Sequence, residues 1–263
     1  MIRARWFLLA LALVAAIAPA SRADSFSQTF DDFTIPMPVR PGDTLMLGIV
    51  GGWERWDNPV RCIRATAIHF KRLRRPGLHV ETVENHKLYL AEELVRRAFD
   101  FNRDGTLSPE EAAQARVIVF GQSLGGRATM VFTRTLNDMG IAVPLALIVD
   151  AYGHDSYEFP PNVATAANFY QRDHMVIKGA PQIRANRVLV NEQYHYPGRL
   201  FSAHDVMEYD PALWTRVREL LTSAAEPPAG SPRPPQAAST TPSAGTTVQT
   251  RRSSLPAAPP RPS

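Results

Sequence analysis

The chain has 263 residues, and its single cysteine excludes an intramolecular disulfide, so the fold must rest on its core or on a bound ion. The formal net charge is +4, but the first 23 residues carry three arginines and no acid. Residues 226–263 add four arginines against Glu226, which leaves 24–225 at −2 and excludes nucleic-acid binding as the role of the central segment.

Both ends read as something other than fold. Arg3 and Arg5 precede an apolar run over 6–18, and small residues lead to Ala23. A basic start, an apolar stretch too short to span a bilayer well and a small-residue cleavage site predict a signal peptide over 1–23. The mature chain is then expected in the periplasm or outside the cell, touching membrane only through that transient segment. Ten of the 23 prolines lie beyond Ala225, among Ala, Ser, Thr and Arg. Such a segment cannot bury enough apolar surface to offset its ordering entropy, which predicts a disordered tail over 226–263. One domain over 24–225 remains, long enough for a substantial core.

In that domain apolar strand-like runs alternate with helical patterns. This predicts an α/β fold with a mostly parallel central sheet and helices on both faces. Thr44–Val50 is a buried-strand run ending at Gly51-Gly52. Asn58-Pro59 is expected to open a helix that buries Val60, Ile63, Ala67 and Phe70, stopped at Pro76-Gly77. Lys71, Arg72, Arg74 and Arg75 then sit at its C-terminus, where the helix dipole favours cations. A strand over 79–83, a helix over Leu88–Phe99 and a short helix over 109–115 follow. Residues 116–120 (RVIVF) are the clearest strand, and the next helix aligns Leu124, Ala128, Val131 and Thr135 before Gly140. Strands are expected at 144–149, 165–170 and 187–190, and Asp210-Pro211 caps a last helix with Leu213, Val217 and Leu220.

Gly121-Gln122-Ser123-Leu124-Gly125 fits G-x-S-x-G between a buried strand and an amphipathic helix. That context makes Ser123 a candidate nucleophile on a strained strand-to-helix turn, where glycine two residues away on either side leaves room. A serine nucleophile needs a base, and His154, His174, His195 and His204 follow it. His204 fits best, in a loop ahead of the last helix; His195, between tyrosines, reads as structural. Asp150 ends the strand after the nucleophile's helix and is favoured as the acid; Asp173, past the later strand, stays open. The oxyanion donors are expected to be the Leu124 N–H and one N–H from Gly52 or Trp53, with Trp53 and Trp56 available to wall an acyl pocket.

Asp100, Asn102, Asp104, Gly105, Thr106, Ser108 and Glu111 occupy the diagnostic places of an EF-hand calcium loop spanning 100–111. Side-chain oxygens fall at loop positions 1, 3 and 5, the turn glycine at 6, a carbonyl at 7 and the closing carboxylate at 12. The expected cofactor is therefore one structural calcium ion held by Asp100, Asn102, Asp104, Thr106 and Glu111.

The stretches GIVGGWERWDNP, HVETVENH, DFNRDGTLSPEEA, VIVFGQSLGG, LIVDAYG, ANFYQ and SAHDVMEYDP together resemble bacterial secreted or periplasmic α/β-hydrolase proteins of the esterase/lipase and thioesterase-like branch. They cover most of 45–221. The resemblance implies an α/β-hydrolase fold, a Ser123–His204–Asp150 triad and hydrolysis of an ester or related acyl bond in a small-molecule or lipid-like substrate. Many relatives carry His before the nucleophile and Trp after it, where this chain has Gln122 and Leu124. The alternative expectation is a non-catalytic, calcium-dependent binding protein on a hydrolase-like scaffold.

Overall fold

A computed structural model describes residues 27–226; the expected signal segment and the Pro-rich tail beyond Glu226 lie outside the described residues. The described chain is an α/β domain around a six-stranded sheet in the order β2-β1-β3-β4-β6-β8. These strands are β1 (Thr44–Val50), β2 (Leu78–Glu84), β3 (Val117–Gln122), β4 (Val143–Val149), β6 (Val163–Tyr170) and β8 (Val188–Gln193). Every pairing in the sheet is parallel. Two short strands, β5 (Ser156–Glu158) and β7 (Gln182–Arg184), form a separate parallel pair.

The near-continuous apolar runs of β1, β3 and β4 follow from burial on both faces. Leu45, Leu47 and Ile49 of β1 join Val117 and Val119 of β3 in one core, while Met46 and Val50 join Ile118 and Phe120 in the other. Alternate side chains point to opposite faces, so each strand feeds both cores. On the first face lie α2 (Leu88–Phe99) and α4 (Leu124–Asp138), which contribute Leu94, Phe99, Phe132 and Leu136. On the second lie α1 (Cys62–Leu73) and α6 (Pro211–Ala224), which contribute Ile63, Phe70, Leu213 and Val217.

Several expected boundaries move. Helix α1 begins at Cys62 rather than at Asn58-Pro59. Asn58 instead closes a local turn, its side-chain oxygen accepting from Val60 N, and Val60 is 67% exposed. The buried stripe of α4 runs through Ala128, Thr129, Phe132, Thr133 and Leu136, so Val131 faces solvent. Helix α3 is a single turn, Pro109–Ala112. Residues expected as a loop around His204 form a further helix, α5 (Ala203–Glu208).

The turn from β3 into α4 is packed directly on β1. A Cβ on Gly125 would run into the Ile49 and Val50 carbonyls, and one on Gly121 into the backbone of Gly125. Glycine is required at both places by this approach. Gly125→Ala is expected to destabilise the domain by about 1–3 kcal/mol through overpacking, read as a lower urea midpoint at unchanged m-value.

Candidate active site

In a parallel α/β sheet the carboxyl ends of the strands carry the loops that meet ligands. The candidate residues of this chain fall on that edge: Ser123 follows β3, Asp150 follows β4, Gln171 follows β6 and Gly51 follows β1. Ser123 has φ 57 and ψ −123, a conformation costly for a residue with a side chain. Its backbone N–H is held by Val149 O at 2.9 Å, and its carbonyl accepts from Arg127 N and Tyr152 N. Helix α4 begins at the next residue, so the Leu124 N–H is one of the unpaired donors at a helix start. The Ser123 side chain is largely buried, and among the described residues its hydroxyl has no hydrogen-bond partner.

Asp150 also has positive φ, at 46, and is completely buried. Its Oδ1 accepts from Gln171 N at 3.1 Å, and its Oδ2 accepts from Gln171 Nε2 at 2.9 Å. The same Oδ2 lies 2.6 Å from His204 Nδ1, a bond between residues 54 apart in sequence. Gly179 closes over this carboxylate, where any Cβ would collide with Asp150 Oδ1. Burial disfavours a charged His204 imidazole, but the bond and the charge of Asp150 outweigh it. With Asp205 and Glu208 adding to the field, the His204 pKa lies above the ordinary histidine value. The other ring nitrogen, Nε2, is 3.4 Å from Nε2 of Gln122, the residue just before Ser123.

Asp173 does not reach His204. It accepts from Tyr196 N and lies 3.9 Å from the exposed His195 ring. His174 is a structural acceptor, its Nδ1 taking the Val176 and Ile177 N–H groups, and His154 packs edge-on against Tyr157. Gly52 has φ 44, and the Asn85 side chain pins this turn by donating to Val50 O and Gly52 O. Trp53 is 48% exposed beside His86, and Trp56 lies under the Arg64 guanidinium.

Residues that the pattern of the sequence does not single out complete the edge. Gln171 holds Asp150 with both its main chain and its side chain. Glu54, on the loop after β1, is 9% exposed, and burial followed by the Glu208 charge pushes its carboxyl up to about 7 against the pull of Arg61. Arg61 lies 3.6 Å from Glu54 and 2.8 Å from Glu208, at the end of the helix that bears His204.

The loop 100–111 forms chained local turns. Asp104 N and Gly105 N donate to Asp100, Asp104 N also donates to Asn102 Oδ1, and Thr106 N donates to Asp104 Oδ1. Glu111 folds back to accept from Asn102 N and Ser108 N. The Thr106 and Asn102 side-chain bonds, with the Thr106 N–H, hold Asp104 below its ordinary pKa. The Ser108 and Asn102 N–H groups do the same for Glu111. The donor set is all oxygen and suits a hard cation. Among the described residues no three His, Cys, Asp or Glu side chains stand together as a preformed metal cluster.

No protein-family model matches this chain, and no curated protein matches it. Among the described residues no helix is long and apolar enough to cross a membrane.

A histidine whose folded pKa is raised adds stability that is complete below its unfolded value of about 6.5 and is lost as pH rises through the folded value. Asp150→Asn removes the group that raises it. The melting-temperature advantage of the wild type over Asp150→Asn is therefore expected to shrink as pH rises above about 6.5, and the His204 ring titration followed by NMR moves down in the variant.

Proposed function

We propose that this chain is an exported serine hydrolase of α/β-hydrolase architecture that cleaves an ester or thioester in a small-molecule or lipid-like acyl substrate. The observation that carries the reading is the buried Asp150–His204 bond on the same sheet edge as a strained Ser123. With Nδ1–H committed to Asp150, the imidazole has its lone pair on Nε2. That nitrogen takes the Ser123 proton as Oγ bonds to the acyl carbon, and the carbonyl electron pair moves onto the oxyanion. The Leu124 N–H and an N–H of Gly52 or Trp53 receive that charge. Collapse breaks the bond to the leaving group, which departs with the proton from His204. Water then repeats the sequence and frees Ser123.

His204 Nε2 must leave Gln122 for the serine in this reaction, and catalytic hydrogen bonds are often long before substrate binds. The Gln122 contact is also the observation that favours the alternative, a non-catalytic binding protein on the same scaffold. Turnover separates the two. Ser123→Ala is expected to lower hydrolysis of p-nitrophenyl butyrate by at least about 10³-fold while the protein stays folded. Wild-type hydrolysis at the level of the variant would favour the binding protein.

The oxygen donors of loop 100–111 fit calcium, with Asp100, Asn102, Asp104, Glu111 and the Thr106 carbonyl as its ligands. Bound there, the ion would tie the end of α2 to the segment entering β3, a structural role away from the triad. Millimolar calcium is expected to raise the melting temperature of the wild type and not that of Asp100→Ala/Glu111→Ala. Equal responses would leave a polar turn.

A further inference from the structure

Three charged groups near the triad take no part in the chemistry just described. Glu54 belongs to the loop after β1 and is anchored there by its N–H bond to Gly51 O at 3.0 Å. Glu208 ends α5, one helical turn after His204, and is 5% exposed. Arg61 stands between them at the start of α1. Its Nη1 lies 3.0 and 2.8 Å from the two Glu208 oxygens and 3.1 Å from the Tyr209 hydroxyl, and its Nε is 3.6 Å from Glu54 Oε1.

Two buried carboxylates this close repel one another and lose hydration, so a shared cation is what lets both remain charged. Arg61 holds Glu208 through one nitrogen shared between both carboxylate oxygens, and Glu54 through a longer contact from Nε. Among the described residues the second oxygen of Glu54, Oε2, is buried without a hydrogen-bond partner. The weaker arm is therefore the one on the expected oxyanion loop. Glu54 Oε1 also crowds the space over Gly51, where a Cβ would sit 3.3 Å from it and 2.7 Å from Gln122 Oε1. The Gln122 amide in turn touches His204 Nε2. The cluster thus meets the loop at one end and reaches His204 through α5.

We propose that Glu54, Arg61 and Glu208 form a clasp that fixes the expected oxyanion loop against the helix carrying His204, which makes all three positioning residues for acyl transfer. The inference rests on the serine-hydrolase reading. Acyl transfer needs the N–H donors of the loop and the base on α5 in one fixed relation, and no backbone hydrogen bond within the sheet sets that distance. The groups facing Glu54 are Arg61, Glu208, His204 and the Gly51 backbone. Deprotonation of Glu54 completes its ion pair with Arg61 and closes the clasp; protonation near pH 7 opens that arm and leaves the loop on its Asn85 bonds.

The test compares the full chain with Arg61→Ala, Arg61→Lys and Glu54→Gln, using p-nitrophenyl butyrate kinetics across pH, melting temperature, and mass spectrometry of the butyryl adduct on Ser123. Arg61→Ala is expected to lower kcat on the order of tenfold, as misplacement of catalytic groups does, with little change in KM, and Arg61→Lys to recover part of the loss. On the acid side, wild-type kcat should fall more steeply with pH than that of Glu54→Gln, which lacks one of the ionisations. If Arg61→Ala does not fold, the Glu54→Gln/Arg61→Leu/Glu208→Leu triple, which leaves no uncompensated buried charge, carries the same comparison. Wild-type kcat in the folded clasp variants, or identical acid limbs in wild type and Glu54→Gln, overturns the clasp while leaving the hydrolase intact. Absence of both turnover and adduct in the wild type removes the hydrolase reading, and the clasp with it.

Discussion

A carboxylate with no solvent exposure has to find donors for its oxygens or give up its charge. Asp150 finds three: the main chain and side chain of Gln171, and the ring of His204. Those bonds join the ends of β4 and β6 to helix α5. They bring the imidazole to the carboxyl edge of the sheet, near the turn where Ser123 stands. Without them the short helix α5 would keep its packing through Ala203 and Met207, the Trp214 Nε1 bond to Met207 O and its ion pair through Glu208.

The other half of the arrangement is steric. Ser123 keeps a costly backbone conformation because the turn around it is pressed onto β1, with no room for side chains at Gly121 or Gly125. The energy that holds this turn comes from packing on two faces of the sheet, since β1 and β3 each place alternate side chains into both cores. A strained serine and a buried ion pair are both costs, and a doubly covered parallel sheet is the kind of scaffold that can bear them. The nucleophile candidate is thus fixed by close packing, and the base candidate by electrostatics and hydrogen bonding.

Much of this arrangement is legible in the sequence. Apolar runs such as VIVF and TLMLGIV announce strands buried on both sides, and the pentapeptide around Ser123 marks its turn through glycines that the packing requires. Other features were harder to read. Helix α5 has six residues, three of them charged or titratable, so no apolar period announces it and His204 reads as a loop residue. Asp150 and Asp173 look alike in sequence; only the fold shows that Asp173 turns to Tyr196 N. Gln171, Gly179 and the Glu54–Arg61–Glu208 cluster gain their meaning from neighbours far along the chain, 147 residues in the case of Arg61 and Glu208. The start of α1 differs from the local signal for a related reason. Asn58-Pro59 is a sound local helix signal, but Asn58 spends its side chain on a tighter turn, and the helix waits until Arg61 has turned toward Glu208.

Acyl transfer on this edge requires that His204 activate Ser123. Fluorophosphonate labelling of the wild type and of His204→Ala, followed by peptide mapping, reads this directly, because only an activated serine reacts. Expected are a single adduct on Ser123 in the wild type and its loss in His204→Ala, as activation by His204 requires. An unlabelled wild type, a label on another residue, or equal labelling of Ser123 in both proteins would contradict it.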